Sequence, residues 1–140
     1  MKKTNIIFWV TTSIIFLMEG LLPALTSQTQ LAKEGIRHLG YPAYFGDMLV
    51  FFKVAGALVL IIPKAPRRMK EWAYAGFAFD FIAAAVSHAA IDGIDFQTFF
   101  PLIFLVLLAL SYVAYHKKAK AAGTLDRKQT GTFSKELATA

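Results

Sequence analysis

The stretch that decides the fold is Lys70–Ala90, KEWAYAGFAFDFIAAAVSHAA. It is long, apolar and uninterrupted, as a membrane-spanning helix must be, yet Asp80 stands at its middle and His88 near its end. A carboxylate at the centre of a bilayer costs about 2.5–3.5 kcal/mol even on lenient insertion scales. Asp80 must therefore face protein, and this helix needs neighbours. At about 100° per residue, Ala73, Gly76, Ala83, Ala84 and Ser87 fall within about 60° of Asp80. Tyr74, Ile82 and Val86 lie away from that face. A face of small residues lets a second backbone approach closely, so the expected contact face is the one that carries Asp80.

Working outward, the chain of 140 residues is 56% hydrophobic with a mean hydropathy of +0.51, and its apolar residues come in blocks. Four blocks approach the ~20 residues that cross about 30 Å of hydrocarbon. They cover residues 5–25, 44–62, 71–90 and 99–115. The expected architecture is all-α: a four-helix transmembrane bundle with short loops over residues 1–116, followed by a basic, polar, disordered cytoplasmic tail over 117–140. A cleaved signal peptide would need the first apolar run to stop early. Instead it continues past Glu19 to Leu25, so it reads as a retained span that Pro23 kinks or ends.

The first loop, TSQTQLAKEGIRHLGYPA (26–43), predicts a short surface helix capped by Ser27 or Thr29 and stopped at Gly40. The fourth span, apolar all round, reads as a lipid-facing wall with no chemistry of its own. His116 is expected as a solvated residue at the interface, and Asp92 and Asp95 as loop and cap residues.

Cations set the orientation. Twelve of the fifteen Lys and Arg residues lie before the first span, in the loop after Pro63 or in the tail; the first loop holds two and the third none. This asymmetry places both termini in the cytoplasm of a cell (inner) membrane protein. The net charge of +6 forms no basic stripe interleaved with aromatics, so nucleic acid is not an expected partner, whereas the lipid bilayer is. The chain has no cysteine, which removes disulfides, thiolate nucleophiles and Cys-ligated clusters. The three histidines lack metal-ligand spacing, and a haem would need His38 and His88 from a loop and a helix end, so no metal is expected.

The remaining charges form a layer. Lys53, at the middle of the second span, and Asp80 each lie about 13 Å from opposite ends of antiparallel helices, and so at one level. Glu19 lies about a turn further outward, within reach of the lysine stem. His88 sits near the outer rim, with His38, Tyr41 and Tyr44 as further contributors. One reading makes Glu19, Lys53 and Asp80 an ionic network that fixes which helices meet. The other makes Glu19, Lys53, Asp80 and His88 a polar pocket or proton relay open to the outside, the default for ionisable groups inside a membrane.

The runs HLGYPAYF (38–45), Lys53 with Gly56-Ala57 and Ile62-Pro63, and KEWAYAGFAFD (70–80) with Ser87-His88 closely resemble the DoxX-like family over residues 6–115. That resemblance implies a four-helix integral membrane protein. It also implies a quinone-linked role as a redox accessory or membrane-anchor subunit, with quinone as the ligand and other membrane redox subunits as partners. Lys53 or His88 would donate to the quinone, Glu19 and Asp80 would relay protons, and Phe51, Phe52, Phe77 or Phe81 would wall the ring. Whether the chain is an enzyme, a carrier for a small or protonatable solute, or a partner that stabilises another membrane protein stays open at this stage.

Overall fold

The computed structural model describes residues 2–140, which are mostly helical with no strand among them. Helix α1 runs from Lys2 to Thr26, α2 from Gln30 to His38, α3 from Ala43 to Ile61, α4 from Arg67 to Asp92 and α5 from Phe96 to Thr139. Among the described residues, α1, α3, α4 and α5 are the four helices long and apolar enough to cross a membrane. The large side chains they leave uncovered, Phe51, Phe52, Phe79, Val86 and Val106 among them, then face lipid.

Local chemistry explains the boundaries. Thr29 caps α2 by accepting from the Ala32 N–H, and Gly40 ends that segment at φ +84°, a conformation that suits glycine. Asp95 caps α5 through the Thr98 N–H at 3.2 Å. Pro23 neither ends nor sharply stops α1. The chain widens to a π-helical turn over Phe16–Leu21 and resumes as an α-helix over Leu22–Thr26, with Pro23 in its first turn. Proline has no N–H to donate four residues back, and a widened turn accommodates the loss. Glu19 and Gly20 sit inside this turn.

The core is aromatic. Tyr74, Phe77 and Phe81 of α4 pack with Ile15 of α1, Leu60 of α3, and Phe104 and Leu108 of α5. This corrects the expected contact face. Tyr74 is buried, while Gly76 and Ala83 are exposed and a side chain at Gly76 would meet nothing. Burying three rings removes far more apolar area from water or lipid contact than burying alanines does, so the aromatic side turns inward. At about 100° per residue it is centred roughly a quarter-turn from Asp80, which is left at the edge of the buried face. Close backbone approach occurs elsewhere, between Gly20 of α1 and Ala57 of α3, and where Phe77 lies over Gly56.

Helix α5 also departs from expectation. It is no featureless wall: Ser111 is fully buried and joins Thr12 of α1 (2.7 Å) and Tyr74 of α4 (2.8 Å) in a chain of hydroxyls. Such a chain satisfies polar groups that would otherwise be stranded in the membrane interior. The segment 117–140, expected as disordered, continues α5 as an exposed helix to Thr139. Its alanines and lysines are strong helix formers, and the preceding span supplies the nucleated turn that an isolated segment lacks. Lys118 anchors its first turn over the rings of Phe8 (4.4 Å) and Trp9 (5.3 Å). Beside it, Lys70 is buried and donates to the Leu60 carbonyl at 3.1 Å, in the last turn of α3. These contacts bring the start of α1, the end of α3, the start of α4 and residues 115–118 together on what we term the terminal face; α2 lies on the opposite face.

The α1–α3 approach gives a direct test. A β-carbon at Gly20 would stand 2.6 Å from Ala57 Cβ, so the helices must separate. Gly20→Ala is expected to destabilise by about 1–3 kcal/mol in detergent thermal unfolding. Ala57→Gly in the same chain should recover most of the loss. A neutral Gly20→Ala would show that the two backbones do not meet there.

Candidate functional site

Three titratable side chains from three helices converge inside the bundle. Lys53 Nζ, from the middle of α3, donates to Glu19 Oε2 of the widened turn in α1 at 2.7 Å. It also lies 3.2 Å from Asp80 Oδ2 of α4. The second contact is an ion pair by distance but lacks hydrogen-bond geometry, so Asp80 Oδ2 is buried with no hydrogen-bond partner among the described residues. All three side chains are largely enclosed, at 13–20% exposure. The widened turn matters here: it turns Glu19 towards α3 at the level where Gly20 already admits Ala57.

The energetics of this arrangement are asymmetric. Bringing a carboxylate and an ammonium out of water costs several kcal/mol per ion, and their attraction repays this only when partners are well placed. Assembled, the group is tolerated. With one member removed, a charge is left buried without compensation.

Lys53 also lines a cavity of about 450 Å3. Leu22 and Pro23 of α1, Ile36 and Arg37 of α2, Tyr41, and Leu49 and Val50 of α3 line it. Helix α2 and the turn before it are held over this cavity at two points. Ile36 packs against Gly46, where a β-carbon would come within 3.3 Å of it, and Gln28 donates to Asp47 at 3.3 Å. The walls are mainly apolar, and Lys33, Arg37, Asp47 and Lys53 are the charged residues that line it.

The structure brings Glu19, Lys53 and Asp80 together but sets His88 apart. His88 lies two turns beyond Asp80 on α4, about 12 Å along the axis. Its Nδ1 stands 3.3 Å from Asp92 Oδ2, while His38 Nε2 of α2 stands 2.5 Å from Asp92 Oδ1. Asp92, expected as a loop or cap residue, is thus the bridge between two imidazoles. Tyr41, expected at the rim, lines the cavity, bonds Ser87 of α4 at 2.6 Å and stacks on Phe45. Tyr44 is largely exposed and joins neither group. Phe51 and Phe52 point away from the bundle, and Phe77 and Phe81 belong to the core, so none of the four walls the cavity.

Sequence reasoning missed two further features. His116, expected to be solvated, has its Nε2 2.8 Å from Glu71 and its ring edge-on to Tyr112. A slot of about 300 Å3 between α4 and α5, lined by Ala75, Ala78, Leu105 and Leu108, opens beside Glu71 and Tyr112. Among the described residues no three His, Cys, Asp or Glu side chains are grouped so as to hold a metal ion.

The charged group predicts strong coupling. Lys53→Met is expected to cost about 3–5 kcal/mol, the penalty of stranding buried carboxylates. Adding Glu19→Gln or Asp80→Asn to Lys53→Met should recover part of this, with pairwise coupling of about 0.5–3 kcal/mol. The Glu19 term should be the larger, since it alone has full hydrogen-bond geometry. Additive losses in thermal unfolding would mean that the three side chains do not interact.

A comparison with protein families aligns residues 7–111 with the DoxX-like family. Neither curated proteins nor solved structures return a match. The matched residues extend from α1 through Ser111 and so include Glu19, Lys53 and Asp80 together with the cavity that Lys53 lines. This chain is a multi-pass membrane protein that belongs to the DoxX-like family.

Proposed function

We propose that this chain is a quinone-binding membrane subunit, acting as an accessory or anchor for redox partners, with the α1–α2–α3 cavity as the ring site. The observation that carries this reading is a mainly apolar cavity of about 450 Å3 whose lining includes the largely enclosed Lys53. A quinone head is a flat apolar ring with two carbonyl acceptors, and a site for it needs apolar walls with few, fixed donors. Lys53 is such a donor: Glu19 and Asp80 hold its position from two sides, which leaves an N–H for a ring carbonyl. Tyr41, braced by Ser87 and Phe45, supplies the aromatic wall, and Leu22, Leu49 and Val50 supply the apolar ones. A bound quinone would supply a carrier for two electrons and two protons. The chain's own part is to bind, orient and exchange protons: Glu19 and Asp80 sit within reach of the Lys53 ammonium that meets the ring.

The cation distribution supports an inner-membrane orientation with the terminal face cytoplasmic and α2 outside. The cavity, under α2, then lies toward the outer side. A proton-coupled carrier is the second reading, and its support is that Asp80 Oδ2 is buried in the bundle without a hydrogen-bond partner among the described residues.

Titration of the purified protein with a short-tailed benzoquinone separates the two. Binding is expected, and Val50→Phe, which fills the cavity, should weaken it at least tenfold with little change in melting temperature. A parent protein that binds no quinone would remove the quinone reading. Binding that survives Val50→Phe would remove this cavity as the site.

A further inference from the structure

We propose that the slot between α4 and α5 is a phospholipid site, which takes an acyl chain along the two helices and holds an anionic headgroup at the terminal face. It shares no lining residue with the Lys53 cavity, so it stands apart from the quinone reading. Shape, depth and charge carry it.

The slot, of about 300 Å3, is a groove rather than an enclosed pocket. Tyr74 and Leu108 in its lining are buried in the core, whereas Ala75 and Ala109, one from each helix, are exposed. It therefore opens outward, and inside a membrane that means towards lipid. Alanine on both walls leaves a channel that offers dispersion contacts and no hydrogen bond, which suits a chain of methylenes and not a polar solute. Its depth fits one leaflet. The lining runs over residues 71–78 of α4 and 105–112 of α5, roughly 10 Å of helix axis in each. Both stretches begin at the terminal face, where Trp72, Tyr112 and Tyr115 mark the level of an interface. A single leaflet holds about 15 Å of hydrocarbon, half of the ~30 Å core, so the slot takes the part of a chain nearest its headgroup.

Charge selects the headgroup. Residues 64–70 hold four cations and residues 117–120 three, against one carboxylate, Glu71. Lys70 and Lys118 are spent inside the bundle, on the Leu60 carbonyl and on the rings of Phe8 and Trp9. Two of the others continue the walls of the slot. Arg67 stands one turn before Glu71 on α4, and Lys120 stands one turn beyond His116, itself one turn beyond Tyr112, on α5. Both are exposed, and among the described residues neither enters an ion pair. Glu71 does not oppose this use. It faces His116 at 2.8 Å, and a phosphate between Arg67 and Lys120 stays about one turn, ~6 Å, further outward. A basic rim over an apolar groove between spanning helices is the arrangement that recognises an anionic phospholipid.

Native mass spectrometry of the full chain, released from mild detergent that holds equal amounts of phosphatidylglycerol and phosphatidylcholine, reads site and selectivity together. One phosphatidylglycerol per chain is expected to be retained, at least roughly fivefold over phosphatidylcholine, the weight of a cation at an anionic lipid. Ala75→Phe, which fills the slot from an exposed position, should remove that lipid. Arg67→Gln with Lys120→Gln should keep a bound lipid and abolish the preference. Val50→Phe, in the other cavity, should change neither. Should Ala75→Phe fail to fold, Ala109→Phe fills the slot from the opposite wall. Equal retention of the two lipids by the parent means annular lipid only and overturns the proposal. So does a phosphatidylglycerol that survives filling of the slot. A dimer without lipid that Ala75→Phe breaks up would give the slot to a second copy of the chain, and displacement of the lipid by short-tailed benzoquinone would give it to the ring; either result overturns the proposal as well.

Discussion

An ammonium in the middle of a membrane cannot be left to itself, and that constraint organises this molecule. Lys53 must find carboxylates, which have to come from other helices at the same depth. Glu19 of α1 and Asp80 of α4 meet that requirement, each bringing its helix to α3. The apolar core then packs around that choice on the terminal side, where Ile15, Leu60, Tyr74, Phe77 and Phe104 interlock. Dispersion and close packing supply most of the cohesion, because lipid tails offer apolar side chains nearly as good an environment as protein does. The charged group and the Thr12–Ser111–Tyr74 chain instead specify which helices are neighbours. Each group is stable when complete and costly when a member is missing.

The sequence makes the charged layer legible because depth follows from arithmetic. Residues 53 and 80 lie equally far from opposite span ends, and the lysine stem covers the remaining distance to Glu19. The rotation of α4 is less legible. Gly76 and Ala83 look like a packing stripe beside Asp80, but three aromatic rings a quarter-turn away bury more area and turn inward. Nor does an apolar run reveal which single polar residue matters, so Ser111 is hidden within FLVLLALSYVAY although it joins three helices. His88 shows the limit of reasoning from depth alone. It is near the rim, as its position requires, with Asp92 one turn on as its partner, but the same carboxylate also meets His38, brought there by a loop helix whose docking no periodicity encodes. The helical tail differs from its polar composition for another reason: continuity with a spanning helix removes the cost of nucleation.

The widened turn in α1 ties fold to site. A regular helix with Pro23 would lose one backbone bond and keep Glu19 in register with the turns before it. The π-helical segment absorbs the proline and reorients Glu19 within the same six residues. Gly20 in that segment lets α3 approach closely enough for the lysine to reach. Under the proposed function, the same local distortion that permits packing also positions the donor that lines the cavity beneath α2.

The claim on which this account depends is that one ammonium is shared by two carboxylates inside the bilayer. Solid-state NMR in lipid measures it most directly, through dipolar coupling between 15Nζ-labelled lysine and 13C-labelled Asp and Glu carboxyl carbons. The account predicts a Lys53 signal coupled strongly to two carboxyl carbons, one lost in Glu19→Gln and the other in Asp80→Asn. A Lys53 nitrogen coupled to neither, or to one alone, would contradict it.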